Sequence, residues 1–262
     1  EKTEARLEAV AQRLRRHKLT VHVSAEWDYP PSEAVVRRAL RTKADLIVLE
    51  RHAGKHAVGW LLSYTDWDLL RLAECAVLIV KSPRSYLHPA ILAAVDPLHT
   101  HAKPARLDFE ILKMASDVKL ALRGKLTVLH ALPPPVLITG GWIAGPVVLP
   151  DVSERAIEAA ARGALDAELE RLPMPAHKVL VSHAQAREAI PAAARSLRAA
   201  IVVMGVMSRS GLKRRFIGNT AESVLDALPC DLLVVKPGRY KTSVVRRPRG
   251  AQFISIPTSI VM

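Results

Sequence analysis

The stretch GVMSRSGLKRRFIGNTAESVL, from Gly205 to Leu225, gathers the residues best suited to hold a phosphate. Gly205 ends an apolar run, Gly211 and Gly218 permit positive φ or a close backbone approach, and Asn219-Thr220 open a helix whose first N–H groups can take an anion. A side chain at such a glycine would hold phosphate oxygens away from the amides, which is why this chemistry uses glycines ahead of a helix. Arg209, Lys213, Arg214 and Arg215 add positive charge. A capped turn with a solvated basic face has the same spacing, so spacing alone leaves both readings open. Elsewhere, His52 and His56 stand four apart near Glu50, the spacing of a zinc pair on a helix. Gly54 between them and the lack of an assured third ligand favour plain surface histidines. Asp66-Trp67-Asp68 reads as an acidic first helical turn with a packing Trp. With no GxSxG, HExxH, GxxxxGK[ST] or kinase signature, no catalytic residue and no metal ligand is assigned, and a dedicated enzyme has little support.

The elements that must position the loop follow from an internal repeat. Asp45–Lys81 lies over Ala200–Lys236 without a gap: DLIVLE over AIVVMG, Thr65 over Thr220, Leu70 over Leu225, and CAVLIVK from Cys75 over CDLLVVK from Cys230. Each copy reads as strand, long loop, helix, strand. The strands are Val/Ile/Leu runs without polar alternation, as in a parallel sheet buried on both faces. From Ile91 onward the pattern is strand 91–95, helix 103–122, strand 126–130, a Pro/Gly-rich loop, helix 153–172, strand 178–182, helix 187–197, strand 201–204, loop, helix 220–228 and strand 232–235. Ser153 suits a helix start, and Gly124 and Gly238 suit turns. Five strands alternating with four helices predict a doubly wound, flavodoxin-like α/β domain with sheet order 3-2-1-4-5.

Before Asp45 the sequence offers only a helix at Glu1–Arg16, a strand at Leu19–Val23 and a helix at Pro31–Arg41. Two strands and a helix are missing relative to the second copy, so roughly sixty residues are expected ahead of Glu1 in a longer natural protein. The absent strands fall between the Leu19 strand and the Asp45 strand, so the remaining ones are not expected to form one continuous sheet. The expected divisions are an N-terminally incomplete first domain at 1–85, a second domain at 86–238 and a basic tail at 239–262. The two domains are expected to pack as an internal pseudo-dimer through Ala76–Val80 and Leu232–Val235.

Composition narrows the function classes. The formal charge of +13, from 38 Lys+Arg against 25 Asp+Glu, favours anionic partners. The most apolar stretch, Leu132 to Pro150, is broken by Pro133, Pro134, Pro135, Gly140 and Gly141, so no membrane span is expected, and no signal peptide is read. Cys75 and Cys230 form no CxxC and no zinc-ribbon spacing, which favours a reducing, cytoplasmic compartment. The tail from Lys236 holds six basic residues and no acidic one, but only Tyr240 and Phe253 could stack bases, so a nucleic-acid arm is disfavoured against a flexible basic tail.

The segments IGNTAESVLDAL, CDLLVVKP, TDWDLLR and CAVLIVK resemble the universal stress protein family, in particular its tandem-domain E-type members, across both halves. The resemblance implies a flavodoxin-like fold and a nucleotide site at the sheet edge. ATP-binding members carry Gly, two residues, Gly, nine residues, Gly, then Ser or Thr. Gly205, Ser208, Gly218 and Asn219 followed by Thr220 keep that frame, with Ser208 and Asn219 departing from it. Asp96, just past the first strand of the second domain, matches the family's acidic residue that faces a ribose or metal; a strand-end turn through Asp96-Pro97 is the plainer reading. In the first domain Glu50, Ser63 and Tyr64 replace Gly205, Gly218 and Asn219, and a carboxylate there repels a triphosphate. The implied protein is a cytoplasmic stress-response binder of an anionic small ligand, ATP or a related nucleotide with magnesium, held in the second domain by Asp96, Gly205, Ser208, Gly211, Gly218, Asn219 and Thr220. A slow nucleotide hydrolase using the same pocket and a weak nucleic-acid binder are the alternatives. Protein partners in stress signalling and a homodimer are further expected associations.

Overall fold

The computed structural model describes residues 2–26, 28–50, 64–98, 106–132, 151–171, 178–206, 223, 224, 226–238 and 240–246. The second repeat supplies five strands, β3 (Ala90–Val95), β4 (Lys125–Ala131), β5 (Lys178–Ser182), β6 (Ile201–Gly205) and β7 (Asp231–Val235). The first supplies β1 (Leu46–Glu50) and β2 (Ala76–Val80). All seven join one sheet in the order β1-β2-β7-β6-β3-β4-β5. Every neighbouring pair is parallel except β2 and β7, which run antiparallel with Val77 opposite Val234 and Ile79 opposite Leu232. Within the second repeat the third, second, first, fourth and fifth strands therefore follow one another across the sheet.

The apolar strand runs are buried on both faces, which explains their lack of alternation. On one face Leu92, Ala94, Val202, Met204, Leu232, Val234, Val77 and Ile79 share a core with residues of α2 (Pro31–Thr42), α3 (Tyr64–Leu72) and α6 (Ala186–Ser196). On the other, Ile91, Ala93, Val95, Leu126, Val128, Ile201, Val203, Leu233 and Val235 meet α4 (Leu107–Leu122) and α5 (Asp151–Leu169). The helix α5 starts two residues ahead of Ser153. Helix α4 ends on Arg123, itself left-handed at φ 51°, and Gly124 is required next to it because a Cβ there would lie 2.5 Å from the Pro89 carbonyl oxygen.

One expected strand does not form. Residues 19–26 belong to no ladder, although α1 (Lys2–Arg15) precedes them as expected. In the 3-2-1-4-5 order this segment would be a third strand, hydrogen-bonded only to a second, and among the described residues the first repeat shows no second strand to receive it. The Val21 carbonyl is taken instead by the Arg15 guanidinium, 2.9 Å from Nη2. β1 and β2, being fourth and fifth, still pair with each other.

The two repeats are fastened reciprocally at the β2–β7 seam. Lys81 and Lys236 close the two strands at matching places, and each ammonium reaches the other repeat: Lys81 Nζ donates to the Leu228 carbonyl at 3.2 Å, Lys236 Nζ to that of Leu70. Both acceptors are carbonyls at helix ends, where cations are favoured. Each lysine is followed by a tyrosine that crosses the same seam, Tyr86 donating to Asp231 Oδ2 and Tyr240 to the Arg71 carbonyl. The buried Asp231 carboxylate also accepts the Lys81 and Ser82 amides at 2.7 and 2.9 Å. Burial and the Asp231 contact both push the Tyr86 hydroxyl upward. Residues 240–246 of the basic tail pack on the first repeat, with the Thr242 amide 2.9 Å from Glu74 Oε1 and Val244 buried in its core; residues 247–262 lie outside the described residues.

Candidate functional site

In an open, doubly wound sheet a crevice forms beyond the carboxyl ends of the strands, at the point where the chain's direction of travel across the sheet reverses. That point lies between β3 and β6. From β3 the chain proceeds through α4 to β4 on one side, and from β6 through residues 223, 224, 226 and 227, which are helical, to β7 on the other. The register sets Ala94 opposite Met204, so Val95 and Gly205 are the adjoining strand ends, and Asp96 is the first residue beyond. Two of the seven expected site residues, Asp96 and Gly205, are thus brought to one place. Ser208, Gly211, Gly218, Asn219 and Thr220 lie outside the described residues, as do His52 and His56.

Gly205 has a use that spacing did not show. A Cβ at this position would lie 2.7 Å from Leu107 Cδ2 and 3.0 Å from Ile111 Cδ1. The close approach it permits in this structure is that of the first turns of α4 onto β6. Asp96 is buried, and its amide donates to Asp108 Oδ1 at 3.1 Å. Asp108 stands in the first turn of α4, where a carboxylate is favoured by the free helix amides. The rim therefore holds two buried carboxylates on consecutive elements, tied together through one backbone bond.

His130, at the end of β4, adds a third polar group that sequence reasoning passed over. Its Nδ1 lies 3.2 Å from the Val95 carbonyl oxygen. A carbonyl only accepts, so Nδ1 carries the proton, leaving Nε2 buried and without a hydrogen-bond partner among the described residues. The available signal was a histidine inside an apolar strand run, Leu126–His130; for Asp108 it was an acid in a first helical turn. Both are common in ordinary folds, and neither marks a site alone. Asp66, also in a first turn, and Trp67, packed against the core, serve α3. Asp68 accepts from Ser32 Oγ at 3.4 Å and pairs with Arg71, which ties α2 to α3.

The matching rim of the first repeat differs. Glu50 ends β1 where Gly205 ends β6, and among the described residues β1 pairs with β2 alone. Nearby chemistry is ionic but structural: Arg37, fully buried, pairs with Asp28 at 2.7 Å and Glu33 at 2.9 Å. Burial pushes the Asp28 carboxyl up, but the Arg37 hydrogen bond, the Tyr29 amide and the charges of Arg37 and Arg41 together outweigh it and hold the group below its ordinary range. Among the described residues no three His, Cys, Asp or Glu side chains are grouped to hold a metal, and no helix is long and apolar enough to cross a membrane.

A family model described as the universal stress protein family matches residues 1–81 and again 91–236. The universal stress protein E of Salmonella typhi is 31% identical over 233 residues, covering 86% of this chain and 71% of that protein. Its counterpart in Escherichia coli is 30% identical over the same span and shares. Among solved structures, a Pseudomonas aeruginosa chain described as a universal stress protein is similar with a TM-score of 0.73 at 30% identity, covering 89% of this chain and 78% of that one. A universal stress protein from Archaeoglobus fulgidus shares the fold at a TM-score of 0.58 and 20% identity, over 91% and 77% of the two chains.

Proposed function

The chain belongs to the universal stress protein family, matched across both of its repeats, and from that premise we propose that the second repeat binds an anionic nucleotide, with ATP as the reference ligand, where β3 and β6 end. The observation that supports this most is the meeting of Asp96 and Gly205 at adjoining strand ends, with the basic glycine-containing loop leaving directly from Gly205. The net charge of +13 raises the local concentration of anions near such a crevice. Magnesium is commonly held by one or two carboxylates together with substrate phosphates, and Asp96 is one of the two carboxylates at this rim, the one at the strand end itself. The first repeat does not share the site, because Glu50 sets a negative charge where Gly205 has none.

Calorimetric titration of the whole chain with ATP and magnesium tests this. One site per chain is expected, and Asp96→Ala should weaken it by about tenfold, the scale of one charge-assisted contact. The substitution leaves the Asp96 amide free to keep its bond to Asp108, so thermal unfolding should change little. Unchanged affinity in Asp96→Ala, or two equivalent sites per chain, defeats the reading. Phosphate release measured on the same samples separates a binder, for which none is expected, from a slow hydrolase.

A further inference from the structure

The peptide that carries Asp96 out of the sheet is gripped at both of its ends. β3 pairs with β6 as far as Ala94–Met204 and with β4 as far as Val95–His130, so the unit joining Val95 to Asp96 is where the strand leaves its ladders. The Val95 carbonyl accepts the His130 Nδ1 proton at 3.2 Å, and the Asp96 amide donates to Asp108 Oδ1 at 3.1 Å. This carbonyl and this amide belong to one planar unit, so a hold on each fixes the orientation of the plane. The two holders come from different elements, β4 and α4, and both are buried, at 1% and 2% exposure.

Each holder has a cause in the packing. α4 brings Asp108 within reach because its neighbour Leu107 settles on Gly205, where a Cβ would lie 2.7 Å from Leu107 Cδ2. The glycine that ends β6 therefore sets how closely Asp108 approaches the end of β3. His130 stands in a buried strand, and its Nε2 is without a hydrogen-bond partner among the described residues. A leucine at this position would leave no orphaned nitrogen, so what the imidazole adds is its bond to the Val95 carbonyl.

We propose that His130 and Asp108 are positioning residues for the nucleotide: they clamp the Val95–Asp96 peptide and so fix where the Asp96 carboxylate meets the ligand. This rests on the nucleotide reading of the second repeat. The clamp acts through Asp96, so its effect on binding must vanish once the Asp96 carboxylate is removed.

Calorimetric titration of the whole chain with ATP and magnesium compares the parent, His130→Leu, His130→Asn, Asp96→Ala and the His130→Leu, Asp96→Ala double variant. The asparagine amide nitrogen stands as many bonds from Cα as Nδ1 does and keeps a donor for the Val95 carbonyl. His130→Leu should weaken ATP by about fivefold, the scale of one hydrogen bond, and by less than about twofold when Asp96→Ala is already present. His130→Asn should bind as the parent does. Amide nitrogen relaxation without ligand gives a second readout. The Asp96 amide should drop below the rigid order parameter of about 0.85 in His130→Leu and return to it in His130→Asn.

A loss that persists in full beside Asp96→Ala means that His130 does not act through Asp96, and overturns the proposal. Unchanged affinity in His130→Leu overturns it too, as does a loss that His130→Asn does not restore. If the parent takes up no ATP, the nucleotide reading fails by itself. The clamp on Asp96 then stands or falls with the relaxation result, an equally rigid amide in His130→Leu overturning it. Should His130→Leu not fold, Asp108→Ala releases the other end of the same peptide and is read in the same way.

Discussion

β1 and β6 are one strand of the repeat in two settings. β6 is flanked on both edges, its last residue is a glycine, and α4 lies directly on it. β1 has a neighbour on one edge, ends in Glu50, and exposes Leu46 and Val48. The local pattern of apolar residues is alike, so the difference in burial comes from what surrounds each strand. The lysines that follow β2 and β7 instead remain alike in use, since Lys81 and Lys236 each donate to a carbonyl of the opposite repeat. Among the described residues the two repeats thus match along the seam and differ at the strand end, where Glu50 stands in place of Gly205.

The largest test of this contrast concerns α2. Between Ser24 and Lys43 the first repeat is three residues longer than the second between Ser182 and Arg198, and the added length folds over α2. Arg37 is buried there against Asp28, whereas the matching Ala192 is exposed. Arg37→Ala leaves the Asp28 carboxylate buried without its partner and should cost about 4 kcal/mol in urea unfolding. Ala192→Arg should cost next to nothing. The folded Asp28 value lies below the unfolded one, so the pair's contribution is complete above the unfolded carboxylate value and disappears as pH falls through the folded one. A parent whose acid unfolding matches that of an Arg37→Met, Asp28→Leu double variant would show that the pair contributes no pH dependence.

The next test compares strand ends. Gly205→Val drives a branched side chain into Leu107 and Ile111 and should destabilise by about 3 kcal/mol, at the upper end of overpacking costs. Glu50→Val, on the strand without α4 above it, should change the urea midpoint little. Equal losses would mean that the two strand ends are equally enclosed.

The third test lies at the seam. Burial, with Arg71 nearby adding to it, pulls the Lys236 ammonium down to about 8 from an ordinary 10.5. The unfolded chain then holds this proton more tightly than the folded one. The penalty is fully present below pH 8 and relieved between about pH 8 and 10.5, so stability should rise over that window by up to about 3 kcal/mol, at about 1.4 kcal/mol per pH unit. Lys236→Met should flatten the rise, and Lys81→Met, at the less buried twin, should leave it in place. Differential scanning calorimetry at pH 7 and pH 10 reads all three proteins. Cys230 titrates in the upper part of the same range, pushed up to about 11 by burial, so Cys230→Ala is the control for the slope.

Much of this molecule was legible in the chain itself. The repeat register from Asp45 to Lys81 placed β1, α3 and β2 against their counterparts, and the unbroken Val/Ile/Leu runs marked strands buried on both faces. Those features are local, because hydrophobic period and run length are written residue by residue. The meeting of Asp96 with Gly205 was legible too, since a doubly wound order fixes which strand ends adjoin. Tertiary structure alone decided the rest. Leu19–Val23 has the composition of a strand, but a strand exists only when another chain segment accepts its hydrogen bonds. Gly205 was legible as a strand end, but only the packed structure shows that its missing side chain makes room for Leu107 and Ile111 of α4. Asp108, His130 and Lys236 carry no distinguishing local pattern; what sets them apart is which carbonyl or amide lies opposite, and that is fixed only when distant segments pack.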